Sequence, residues 1–308
     1  MTSKYKRFKR CLTMGIVKGW KGFLWMLKIL VPISFITAVL AWSEWLNQFD
    51  FILSPVMNVI GLPSMAALPL IAGLLTGPYG AIAAMAPLPL SIDQMTLVAI
   101  FLLISHNLIQ EGVIQHESGL PFIPATLVRL LASVLMVMAA SWVMGPETAE
   151  SALSNHAVTN REPLITMLMA WAVTTLSLSA KILVIIMALM LILEVLKQYD
   201  LMARIIDVIS PCLKALGLAK ETGFLWLTAV VFGLTYGAAV IVQEVKEGRL
   251  SEEALKRLQL SIGINHSMIE DPALFLSLGL GLFWLCVPRL IAAILVVQLF
   301  ILYRRVTS

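Results

Sequence analysis

The chain has 308 residues, 59% of them hydrophobic and 13% charged, with a mean hydropathy of +0.91 and a net charge of +4. A water-solvated domain carries about 25% charged residues, so this composition excludes a soluble globular fold and makes lipid the solvent. The positive charge gathers at the start, in Lys4, Lys6, Arg7, Lys9, Arg10, Lys18 and Lys21. No small-residue cleavage site follows the apolar run that begins at Phe23, which argues against a signal peptide. The cluster abuts a membrane span, where cytoplasmic retention explains it better than nucleic-acid binding.

In chain order, a basic cytoplasmic segment (1–22) leads into an apolar span at about 23–42. A short amphipathic segment (47–62) ends in Gly61-Leu62. A Gly/Pro/Ala-rich apolar stretch (63–90) follows, then a polar-tipped span (94–113) and a further span (120–143). A polar linker (145–164) precedes a second series: an apolar span (172–196), an amphipathic segment (200–218) ending in Gly217-Leu218, a small-residue stretch (221–243), a polar-tipped span (257–271) and a last span (273–302).

The two series share residues in one order. Lys28-Ile-Leu-Val31 recurs as Lys181-Ile-Leu-Val184, Ser54-Pro55 as Ser210-Pro211, and Tyr79-Gly80-Ala81 as Tyr236-Gly237-Ala238. His106-x-x-Ile109 recurs as His266-x-x-Ile269, and Arg129 recurs as Arg289, each Arg 23 residues after its His. The offset drifts from 153 to 160 residues, as short loop insertions in a duplicated chain would produce. The expected architecture is an all-α integral membrane protein of two tandem repeats, 23–144 and 165–303.

Residues 63–90 hold Pro63, Pro69, Gly73, Gly77, Pro78, Gly80, Pro87 and Pro89, poor material for a continuous helix. If this stretch crosses the membrane, the chain has 8 spans and parallel halves. If it re-enters as a hairpin, the chain has 6 spans, two re-entrant hairpins and inverted halves. The hairpin arrangement brings Lys197, Arg204, Lys214 and Lys220 to the cytoplasmic side and leaves Arg161 as the basic loop residue outside, so the positive-inside rule favours inversion.

Ionisable residues inside spans cost roughly 2.5–3.5 kcal/mol each on insertion scales and mark sites or pathways. On a continuous helix His106 and Gln110 share one face at i,i+4, as do Asn107 and Glu111. In the second half His266 is expected to pair with Glu270, and Ser267 with Asp271. A pseudo-twofold axis would bring both clusters together near the midplane. Two imidazoles with carboxylates and amides suit a divalent metal, a proton relay or a polar organic solute. Arg129 and Arg289 are charge partners for Glu111 and Asp271, either within a site or as plain helix-packing ion pairs. Tyr79-Gly80 and Tyr236-Gly237 are candidate hairpin tips or gates; small-residue helix packing, with Gly73 and Gly77 as a GxxxG, is the plainer alternative. His116 and Glu117 are expected in a loop, and His156 in the linker. Cys11, Cys212 and Cys286 are far apart and indicate neither a disulfide framework nor a zinc ribbon. The absence of GxxxxGK[ST], HExxH and GxSxG motifs points away from an enzyme.

The Gly-Leu before a small-residue stretch, the Tyr-Gly and the His-bearing span resemble the Gate domain, or nucleoside-recognition domain. That domain occurs in concentrative nucleoside transporters, the membrane part of ferrous-iron transporter B and spore-maturation membrane proteins. The resemblance covers about 47–143 and 200–302. It implies a transporter or permease of the cytoplasmic (inner) membrane, with a cytoplasmic N-terminus, for a small polar solute or divalent cation. The alternative is a non-transport assembly protein of the spore-maturation type, acting with a partner. No cofactor is expected beyond a coupling ion; the expected partners are the lipid bilayer and a homodimer mate or second membrane protein, with no nucleic acid.

Overall fold

The computed structural model describes residues 2–48, 50–145, 163–199, 202–231, 233 and 250–307, and every regular element among them is helical. The order is α1 (Thr2–Trp42), α2 (Trp45–Gln48), α3 (Asp50–Val59), a 3₁₀ turn (Ser64–Ala66) running into α4 (Ala67–Thr76), α5 (Pro78–Met85), α6 (Ile92–Ser105), α7 (Leu108–Glu117) and α8 (Phe122–Met144). The rest comprises α9 (Leu164–Gln198), α10 (Met202–Ala215), a 3₁₀ turn (Lys220–Thr222), α11 (223–231), α12 (Glu252–Asn265), α13 (Glu270–Phe275), a 3₁₀ turn (Leu276–Leu278) and α14 (Leu282–Thr307). Most of the 145–164 linker, with His156 and Arg161, lies outside the described residues, as do Tyr236 and Gly237.

Among the described residues, five helical stretches are long and apolar enough to cross a membrane: Phe8–Trp42, Ile92–Glu117, Phe122–Met144, Leu164–Leu196 and Leu282–Thr307. A sixth is reached if Asp50–Val59 and Ser64–Thr76, bent by 84°, count as one span. Their outward faces have the inverse logic of a soluble protein. On α8, Ile123, Leu127, Leu131, Leu135 and Trp142 are exposed, while Arg129, Ser133, Val137 and Ala140 face inward. Apolar residues at four-residue spacing form one stripe along a helix, and such a stripe suits a lipid solvent while the polar groups turn to the protein interior.

The first span starts earlier than the composition implies. α1 is a single helix of 41 residues, about 60 Å long and thus twice the thickness of the hydrocarbon core. It lies antiparallel along α9: Cys11 meets Glu194, Gly15 meets Leu191, Gly19 meets Met187 and Ser34 meets Trp171. A Cβ on Gly15 would stand 2.7 Å from Leu191 Cδ2 and one on Gly19 2.5 Å from Met187 Sδ, so glycine is what lets these backbones approach. Lys18 pairs with Glu194 across the same seam. Residues 8–22 of the basic segment are therefore packed helix, continuous with the span that follows.

At the centre, α6 and α12 are buried almost all round, from Leu97 to Ser105 and from Leu258 to Asn265. Their starts are set locally: Ser91 and Gln94 form a reciprocal capping box for α6, and Ser251 accepts from the Ala254 N–H at α12. α4 and α5, of 10 and 8 residues, are each too short to cross a bilayer. They fold back on each other about Gly77, which brings Gly73 against Ala81. Gly77 has φ +83° and its Cα faces the Asn107 amide, where a Cβ would stand 2.6 Å from Nδ2, so this turn requires glycine on both counts.

Candidate functional site

The site is built where α6 and α12 end. α6 stops at His106, whose φ and ψ of −66° and 167° are extended, and α12 stops at His266 with −67° and 165°. The next residues, Asn107 and Ser267, take the left-handed conformation with φ of 47° and 49°, uncommon for a residue with a Cβ. The chain then re-enters helix. Backbone groups freed by these breaks find new partners: Asn107 N–H donates to Gly73 O (3.1 Å), and Ser267 N–H donates to Ala229 O (3.0 Å). Such interruptions inside a membrane protein survive only with substitute partners of this kind.

The two arginines close the carbonyl side. Arg129 Nε donates to Ile104 O (3.1 Å) and its Nη2 to His106 O (2.7 Å). Arg289 Nε donates to Ile264 O (2.5 Å). Both guanidinium groups are buried at 1% exposure, and each serves the negative end of a helix dipole. Arg129 Nη2 also pairs with Glu111 Oε2 at 2.7 Å, whereas Arg289 Nη1 stands 3.8 Å from Asp271 Oδ2. Arg129 and Arg289 thus hold the helix ends and oppose the carboxylates of Glu111 and Asp271.

Each imidazole is oriented by its own helix. His106 Nδ1–H donates to Leu102 O and His266 Nδ1–H to Ile262 O, both at 2.8 Å. A carbonyl oxygen only accepts, so Nδ1 carries a proton in each ring and Nε2 of the neutral imidazole presents a lone pair. The two Nε2 atoms face each other at 3.3 Å. Glu111 Oε1 lies 3.0 Å from His106 Nε2 and 3.1 Å from His266 Nε2, and Asp271 Oδ2 lies 3.6 Å from His106 Nε2. His106, His266 and Asp271 form a buried set whose donor atoms all lie within 4.8 Å of one another. A cavity of about 350 Å³ opens beside them, lined among others by Trp25, Tyr79, Asn107, Gln110 and Ser267.

The pairing within the site differs from that expected of continuous helices. The breaks at 106–107 and 266–267 remove the i,i+4 relation, so His106 contacts Glu111 and not Gln110, which is exposed on the cavity wall. His266 contacts Glu111 and His106 of the other half. Glu270 instead accepts from Tyr79 Oη at 3.1 Å, a second bond between the halves. Ser267 and Asn107 line the cavity but act in the chain as the left-handed residues after each histidine. Gly80 sits against Ala72, Thr76 and Ile33, where a Cβ would collide with Thr76 Oγ1. His116 and Glu117 form the exposed last turn of α7 and not a loop.

Some participants gave no sequence signal as such. Trp25 and Met190 line the cavity as single apolar residues among many. Gln115 and Gln259 exchange bonds between α7 and α12, Gln115 Nε2 to Gln259 O (3.1 Å) and Gln259 Nε2 to Ser118 O (3.3 Å). A buried glutamine in each His-bearing segment was the available sign.

Fold and site together define a multi-pass helical membrane protein with a buried His/carboxylate centre formed by residues from the N-terminal and C-terminal parts of the chain. Over 290 residues the chain is 27% identical to YvoD, an uncharacterized membrane protein of Bacillus subtilis (strain 168), with 93% of each chain covered. No protein-family model matches the chain, and no solved structure matches it with significance.

Proposed function

We propose that the chain is a transporter or permease that moves a small polar solute or divalent cation through the His106/His266 centre. On this reading it is a Gate-domain protein of two inverted repeats in the cytoplasmic membrane, with a cytoplasmic N-terminus and no enzymatic activity. One observation carries the reading: two interrupted helices, one from each half, end at equivalent histidines whose Nε2 atoms meet at 3.3 Å beside a cavity. Transporters with inverted repeats place their sites at such interruptions near the midplane.

Inversion is supported by the antiparallel course of α1 and α9, the spans that begin the two series. It is supported also by the way α7 beyond His106 runs back along α12, with Gln115 at Gln259 and Gly119 at Leu255. The short α4–α5 fold-back then serves as a re-entrant hairpin, and the Tyr79–Glu270 bond as a contact that breaks when one half rocks against the other.

The test is uptake by the protein reconstituted into lipid vesicles, with His106→Ala/His266→Ala as the comparison. Uptake of one solute or ion class, lost in a double variant that remains folded and monodisperse, supports the proposal. Equal uptake by both proteins contradicts it. The assembly alternative draws on α3, which exposes Phe51, Ile52, Val56 and Val59. It requires that Phe51→Ser/Val56→Ser release a co-purifying membrane protein while the histidine changes do nothing.

A further inference from the structure

We infer that the centre is a tetrahedral site for one divalent transition-metal ion of the zinc type, ligated by His106 Nε2, His266 Nε2 and Glu111 Oε1, with Asp271 Oδ2 as the fourth donor. This deepens the transport proposal and rests on it only for the ion's role as cargo or coupling ion; the binding site stands on its geometry.

The first argument is the hydrogen inventory. With Nδ1 of both rings committed to the Leu102 and Ile262 carbonyls, two Nε2 lone pairs and a carboxylate oxygen converge within 3.0–3.3 Å. Neutral imidazoles supply no hydrogen to that triangle, and acceptors held so close repel one another unless a cation lies among them. The second argument is size. Zinc–ligand bonds of about 2.0–2.1 Å give a regular tetrahedron an edge of about 3.3 Å. The three edges of the triangle are 3.0, 3.1 and 3.3 Å, and the His106 Nε2–Asp271 Oδ2 separation is 3.6 Å.

The third argument is the fourth donor. Asp271 is 6% exposed, and among the described residues its Oδ2 has no hydrogen-bond partner: Arg289 Nη1 stands 3.8 Å away and His106 Nε2 3.6 Å. A buried carboxylate oxygen in that state calls for a cation. Charge agrees: among the described residues Glu111, Glu270 and Asp271 are opposed by Arg129 and Arg289, two guanidinium groups to three carboxyl groups. The outer shell agrees as well, because metal-bound histidines generally donate their other ring N–H to a backbone carbonyl or carboxylate. Two imidazoles with two carboxylates favour zinc, cobalt and ferrous iron over magnesium and calcium, which take oxygen ligands.

The experiment uses full-length protein purified in detergent and stripped of metal, titrated with Co²⁺ and followed by visible absorption and elemental analysis. The expected result is one Co²⁺ per chain with the absorption of a tetrahedral centre, displaced by Zn²⁺ and unaffected by excess Mg²⁺. His266→Ala abolishes the band, and Asp271→Asn, which keeps the side-chain shape, weakens affinity by about 100-fold or more, beyond the 10–100-fold that loss of an outer-shell partner costs. Binding no stronger than in His106→Ala/His266→Ala, or an octahedral spectrum abolished by Mg²⁺, overturns the inference and leaves a proton as the shared cation. Entry of Zn²⁺, and of small polar solutes with and without Zn²⁺, into vesicles is measured in parallel. Binding without any uptake sustains the metal site and overturns the transport proposal; solute uptake without metal binding does the reverse.

Discussion

Arg129 does three things with one side chain. A point charge cannot replace it: Nε and Nη2 reach the Ile104 and His106 carbonyls while Nη2 pairs with Glu111. Removing one partner of a buried ion pair costs about 3–5 kcal/mol, because the other charge stays behind uncompensated. Arg129→Ala is therefore expected to destabilise by about that amount, and Arg129→Lys to recover only part of it, since an ammonium lacks the planar fork. Arg289 makes a looser pair and its Nη1 and Nη2 have no hydrogen-bond partner, so Arg289→Ala is expected to cost less. Detergent-phase thermal unfolding of the three variants checks the order; an Arg289→Ala loss larger than that of Arg129→Ala would contradict it.

The elements explain what was legible in the sequence. The spans and the membrane class follow from apolar runs that any window registers, and the order of shared residues drew attention to both histidines, both arginines and the pairs Gln110-Glu111 and Glu270-Asp271. What failed was the helical wheel. His106 with Gln110 and His266 with Glu270 share faces only on unbroken helices, and the breaks occur at Asn107 and Ser267, with neither glycine nor proline to announce them. Asparagine's tolerance of the left-handed region was a faint cue; serine offers none. The α1–α9 seam was missed for the opposite reason, because Gly15 and Gly19 lie among lysines that marked the segment as cytoplasmic. Two expectations follow at this scale. Gly19→Leu forces a side chain into Met187 and is expected to cost about 1–3 kcal/mol by overpacking, read as a lower unfolding temperature; an unchanged temperature would mean that the seam is not closely packed. Asn107→Gly is expected to be neutral or stabilising by up to about 1 kcal/mol, since glycine meets a positive φ without strain, whereas Asn107→Val is expected to lower both stability and ligand binding.

For the whole molecule, the antiparallel α1 and α9 make a prediction about sidedness. The α1 end near Cys11 lies beside Glu194, and the far end near Ser34 lies beside Trp171. In a background without Cys11, Cys212 and Cys286, single cysteines at Lys9 and Gln198 are expected to react with an impermeant thiol reagent from one side of the membrane, and those at Glu44 and Pro163 from the other. All four reacting from one side would rule out crossing by these helices. On the proposed inverted arrangement, the two histidine-bearing helix ends form one binding site. Ligand-induced stabilisation tests it most directly, with purified protein warmed in the presence of Zn²⁺, Mg²⁺, nucleosides and small polar solutes beside His106→Ala/His266→Ala. A ligand present at 100 times its dissociation constant stabilises by about 2.7 kcal/mol. The account predicts a shift of that size with one ligand class, absent from the double variant. No shift with any ligand, or the same shift in both proteins, would contradict a site between the two halves.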